Sequence, residues 1–81
     1  MKIMRTDCRT GKRTLVARFD GITTYLAEKF MVKFAQDEAL LTAGAVQVNF
    51  PGGLSGRASA TIFDPAGLER LAEFSQEWPQ E

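Results

Sequence analysis

Histidine is absent from this 81-residue chain, and cysteine occurs once, as Cys8. Without histidine the commonest general base and neutral-pH metal ligand is missing, and serine–histidine and cysteine–histidine catalysis are excluded. A single cysteine forms no intramolecular disulfide, and without histidine it supports no zinc site of the usual kinds. Secreted domains of this size generally rely on disulfide staples, so a cytosolic location is expected. No apolar run approaches the ~20 residues of a membrane span, and Met1–Arg5 is not followed by the hydrophobic stretch of a signal peptide. Internal repeats, low-complexity stretches and linkers are also lacking, and residues 1–81 read as one domain.

The remaining composition is that of a globular protein, 44% hydrophobic and 25% charged. Net charge is zero but unevenly distributed. Residues 1–18 carry six of the ten basic side chains (Lys2, Arg5, Arg9, Lys12, Arg13, Arg18) against one acid, Asp7. The remainder carries four basic and nine acidic residues, so the chain is +5 at one end and −5 beyond it.

Turn chemistry and alternation predict an N-terminal hairpin. Gly11-Lys12 suits a two-residue turn; pairing around it sets Cys8 opposite Leu15, Thr6 opposite Ala17 and Met4 opposite Phe19. That register puts Met4, Cys8, Leu15, Ala17 and Phe19 on the core face, with Ile3, Arg5, Asp7, Arg9, Val16 and Arg18 outside. It also places Arg5 directly opposite Arg18. Ile22, Tyr25, Leu26 and Phe30 follow helical spacing, although Phe30, Val32 and Phe34 alternate as a strand would. A helix from about Thr23 to Phe34 is expected, then a short helical turn over Glu38–Leu41 closed by Gly44. A second hairpin pairs Val46 with Ile62, Val48 with Ala60 and Phe50 with Ala58, turning large residues against small ones on the buried face.

Asp64-Pro65 has the form of a helix N-cap followed by proline at the first helical position. Leu68, Leu71, Ala72, Ser75 and Trp78 then form an inner stripe, with Leu71 and Trp78 buried, and Glu69, Glu73, Glu77 and Glu81 form an outer one. The fold expected is α+β, with a four-stranded antiparallel sheet in the order ββ-α-ββ-α and helices packed on one face.

Possible sites are few. Residues 51–57, Pro-Gly-Gly-Leu-Ser-Gly-Arg, are rich in glycine but lack the spacing, the lysine and the following helix of a phosphate-binding loop. Thr10-Gly11-Lys12-Arg13-Thr14 echoes the end of that motif without its earlier glycine. Both read as turns. Cys8 reads as an inert core thiol. The glutamates of the last helix diverge into solvent and hold no metal; no cofactor is expected, and no catalysis.

The basic hairpin is the candidate site. Arg5 facing Arg18 is a repulsive pair that a partner would relieve, unless Asp7 or the acidic helix screens it. Arg5, Arg9, Lys12, Arg13 and Arg18, with the apolar loop tip Leu54, make the candidate partner-binding set. The expected function is non-catalytic binding: a small protein–protein interaction module or inhibitor that covers an acidic or mixed-charge surface of a larger partner. A phage- or mobile-element-borne inhibitor of host machinery is one instance of that class. The alternative is a nucleic-acid-binding regulator that uses the same cations on phosphates. The glutamate stripe and the zero net charge count against it.

Overall fold

The computed structural model describes residues 1–49 and 58–78. The chain runs β1 (Lys2–Asp7), β2 (Arg13–Arg18), α1 (Thr24–Thr42), β3 (Ala45–Asn49), β4 (Ser59–Phe63) and β5 (Arg70–Glu77). All pairings are antiparallel, in the order β2-β1-β5-β4-β3. Among the described residues the architecture is therefore α+β as expected, with one helix on a five-stranded sheet in place of two helices on four strands.

The correction lies mainly after Asp64, where the expected helix is a tight turn followed by β5. The Asp64 side chain does accept a backbone N–H, that of Ala66 at 2.9 Å. The chain then doubles back: Leu68 N–H donates to Asp64 O at 2.6 Å and Asp64 N–H to Glu69 O at 2.8 Å. Leu68 adopts a left-handed φ of 57°, which ends any helical path. An aspartate before proline serves a turn as well as a cap, and a four-residue spacing of glutamates falls on one face of a helix or of a strand alike. Within β5, Ala72, Phe74 and Gln76 are buried while the residues between them are half-buried, a period of two. Leu71 and Trp78 are half-buried, short of the burial expected of them. Glu69 is exposed, whereas Glu73 and Glu77 are half-buried against β1 and β4.

The first hairpin forms in a different register. Asp7 Oδ1 accepts the N–H groups of Arg9 and Thr10 at 2.9 and 3.3 Å. This side-chain turn stretches the connection to Cys8–Lys12, closed by Gly11 N–H to Asp7 O at 2.7 Å and Asp7 N–H to Lys12 O at 2.8 Å. Ile3 pairs with Ala17, Met4 with Leu15, Arg5 with Thr14 and Thr6 with Arg13; the register shifts between Ile3 and Met4, where Val16 is the additional residue. The new register exchanges the faces of β1 and leaves Leu15 48% exposed, but the extra residue Val16 keeps Ala17 and Phe19 packed against the core, as expected of them. Ile3 is fully buried and Cys8 is exposed, the reverse of the expectation. Arg5 faces Thr14 across the ladder, while Arg18 pairs with Lys2, so the expected Arg5–Arg18 opposition does not form.

Helix α1 is continuous where a broken helix was expected. Thr23 caps it, its Oγ1 accepting the Leu26 N–H at 3.2 Å. The buried residues are Ala27, Met31, Ala35 and Ala39, a four-residue repeat in which three small side chains let the helix approach the sheet closely. Met31 fills the space they leave, against a core of Ile3, Ala58, Ala60, Ile62 and Phe74. At the C-terminus the left-handed residue is Ala43, with φ of 55°, and Gly44 N–H donates to Ala39 O at 2.9 Å.

The second hairpin matches its expected register: Val46 pairs with Ile62 and Val48 with Ala60, and Ala60 and Ile62 are fully buried. The expected Phe50–Ala58 pair involves Phe50, which lies outside the described residues, as do the loop 51–57 with Leu54, and Glu81.

Candidate functional site

The cations of the first hairpin are distributed by the new register over both faces of the sheet and its end. Arg5, next to Phe74 on the ladder, points toward the helix. Its Nε and Nη2 donate to the two carboxylate oxygens of Glu38 on α1, at 2.6 and 3.1 Å. Both side chains are roughly seven-tenths buried, with exposures of 29% and 27%, so this bidentate bridge ties β1 to the helix in a partly desolvated setting. The hydrogen bonds that Arg5 donates to Glu38 raise its pKa above the ordinary value and outweigh the desolvation that would lower it.

Arg9 sits in the β1–β2 turn and reaches Glu69 in the β4–β5 turn at 3.4 Å. With exposures of 62% and 57%, that pair contributes at most about 1 kcal/mol. Arg13 on β2 bridges to Glu77 on β5 across the face of the sheet away from the helix. Among the described residues, neither Lys12 nor Arg18 has an ion-pair partner. Glu69 and Glu77, expected on the outer stripe of a helix, thus reach the basic hairpin as members of a neighbouring turn and strand.

An open cavity of about 480 Å³ lies between the end of α1 and the β1–β2 turn, lined in part by Arg5, Asp7, Arg9, Thr42 and Asp64. Its charged groups are already engaged. Arg5 and Arg9 hold glutamates, Asp64 accepts the Ala66 N–H, and Asp7 accepts two backbone N–H groups. The bond from Arg9 N–H, first among these influences, holds the Asp7 carboxyl below its usual pKa. Among the described residues, no group of three or more Cys, Asp or Glu side chains is arranged to hold a metal ion, and no helix is long and apolar enough to cross a membrane.

Neither protein-family models, nor curated proteins, nor solved structures match this chain. The surface itself is therefore the basis for a functional reading.

Cys8 is exposed in the turn, where partial desolvation, followed by the charge of Glu73, raises its thiol pKa. The native protein should consequently react with a thiol reagent without denaturant. At neutral pH the rate should fall below that of an unstructured thiol and climb as pH passes above the ordinary cysteine range. Protection of Cys8 until denaturant is added would restore the register in which it is a core residue.

Sequence reasoning missed two surfaces. Tyr25, Leu26 and Phe30, whose spacing indicated the helix, are 65%, 45% and 39% exposed, and Leu40 and Leu41 are 83% and 88% exposed. The signal was the Ala27-Met31-Ala35-Ala39 repeat, which competes with the larger residues for the inner face and prevails because small side chains fit against a sheet. The second surface is the sheet face opposite α1. Among the described residues nothing covers it. The ladder pairings run Leu15, Met4, Ser75, Ser59 and Asn49 across it, beside a second row of Arg13, Thr6, Glu73, Thr61 and Gln47.

Proposed function

We propose that this protein is a non-catalytic protein–protein interaction module that acts by covering part of a larger protein with the open face of its sheet. The observation that supports this reading is the one-sided architecture: α1 packs on one face of the sheet, over β3, β4 and β5, and among the described residues the opposite face is uncovered and of mixed polarity. Leu15, 48% exposed, beside Met4 supplies an apolar contact. Lys2, Arg13, Arg18, Glu73 and Glu77 supply both signs of charge around it. Such a surface suits a mixed-charge protein partner. An inhibitor or adaptor role follows the same physics, because occupying a surface is sufficient for either.

The nucleic-acid reading is the weaker of the two. Arg5, Arg9 and Arg13 each hold a glutamate, which leaves Lys12 and Arg18 as the members of the candidate set without such a partner among the described residues. Two phosphate contacts give a salt dependence with a log–log slope of only about −2 on duplex DNA.

Anisotropy with random duplex DNA and single-stranded RNA at low salt should show no micromolar binding. An immobilised chain incubated with extract of its own host should retain a protein that Leu15→Glu combined with Arg18→Glu no longer retains. Micromolar, salt-sensitive binding to random duplex, lost in a Lys12→Glu/Arg18→Glu variant, would replace the protein-binding reading with the nucleic-acid one.

A further inference from the structure

The outer side of α1 carries a pattern that neither its own sheet nor the open sheet face explains. Leu26, Phe30, Lys33, Asp37 and Leu40 follow one another in steps of four, three, four and three residues, and all are exposed. On a helix this spacing keeps side chains within a stripe about 100° wide, the seam by which one helix packs along another. The inner face uses a different set, Ala27, Met31, Ala35 and Ala39, so α1 has one stripe for the sheet and a second facing outward. Phe30 stacks on Phe19 with ring centroids 5.0 Å apart, which holds it in place while 39% of its surface stays accessible.

We infer that this stripe is a dimer interface, packing α1 against α1 of a second copy in antiparallel orientation. The charges decide both the partner and the direction. Lys33 and Asp37 sit in the middle of the stripe, and among the described residues neither makes an ion pair. Within one helix their order, lysine one turn before the acid, is the less favourable one.

Two antiparallel copies centred near Ala35 bring Lys33 of each opposite Asp37 of the other. The same alignment brings Phe30 of each opposite Leu40 of the other. A parallel pairing would set Lys33 against Lys33 and Asp37 against Asp37. One stripe thus carries both halves of its own complement, the condition for a two-fold symmetric contact. Because the stripe faces away from the sheet, two copies stack as sheet, helix, helix, sheet. Both open sheet faces remain available on the outside.

Sedimentation equilibrium of the full chain at low ionic strength, over a wide concentration range, should show reversible dimers. Lys33→Asp gathers four acids at the centre of the seam and should weaken dimerisation by about tenfold or more. Asp37→Lys should do the same with four cations. The double variant Lys33→Asp/Asp37→Lys reverses the pair in both copies and should restore the dimer. These positions are exposed, so circular dichroism should show each variant folded. A wild-type chain that stays monomeric at every concentration, single variants that dimerise as the parent does, or a double variant that fails to recover, would each overturn the inference.

Discussion

Replacing Phe74 by alanine should cost about 3–5 kcal/mol, the range for removing a large aromatic side chain from a core that cannot collapse around the loss. Phe74 is 2% exposed and lies on β5, with Arg5 of β1 on one side and Ala60 of β4 on the other. Those neighbours are fixed by ladders on both sides of the strand, and the residue packs in the same cluster as Met31 and Ala35 of α1. An 81-residue domain has a total stability near the lower end of the usual 5–15 kcal/mol. Urea denaturation followed by circular dichroism should therefore show a variant close to its midpoint without denaturant. Leu68→Ala is the matched control. Leu68 would belong to the inner stripe of a helix beginning at Asp64, but it is 74% exposed and should tolerate truncation with little change. Equal sensitivity at the two positions would return 64–78 to a helix.

Gly44→Ala should be the second most damaging substitution, at about 1–3 kcal/mol. A methyl group there would lie 2.8 Å from Ile62 Cγ2, 3.3 Å from Thr42 Oγ1 and 3.4 Å from the Phe63 carbonyl oxygen. Ile62 has no exposed surface, and its β-branched side chain leaves little freedom to yield. The neighbouring residue should behave in the opposite way. Ala43 holds the left-handed conformation, at φ of 55°, that glycine adopts without steric cost, so Ala43→Gly should be stabilising by up to about 1 kcal/mol. Thermal melting of the two variants tests the pair together. A Gly44→Ala protein as stable as the parent would mean that α1 and β4 are not so closely apposed.

How much could be read in advance depended on how many patterns competed at each place. The β3–β4 register was legible because Val46 and Val48 have to face Ala60 and Ile62 for either strand to bury its apolar side. The first hairpin was harder, because Gly11-Lys12 and the Asp7 side chain each specify a turn and imply registers that turn opposite faces of β1 inward, although Ala17 and Phe19 pack against the core in either. Asp7, bonding two backbone N–H groups, prevails, and with it Ile3 turns inward and Cys8 outward. At the C-terminal end the capping signal at Asp64 and the four-residue glutamate spacing both fit a helix. Neither distinguishes it from a turn followed by a strand.

The candidate site was legible as a set of charges and not as an arrangement. Six basic residues at one end and nine acids beyond it are visible in the chain, but whether they oppose or neutralise one another depends on which strands are neighbours. With β5 beside β1, Glu69 and Glu77 come within reach of Arg9 and Arg13, while Glu38 on the overlying helix takes Arg5. The apolar outer stripe of α1 was hidden because Leu26 and Phe30 look like core residues until alanines are seen to occupy the inner face.

By itself, then, the sequence determined the α+β character of the chain, its central hairpin, its lack of histidine and the asymmetry of its charge. These follow from residue identity and from interactions between neighbours in the chain. The tertiary structure alone decided that residues 70–77 are a strand, which glutamate meets which arginine, and which side of α1 faces outward. Each of those depends on contacts between residues distant in sequence. An isolated strand gains nothing until both of its neighbours are in place to satisfy its backbone and bury its side chains.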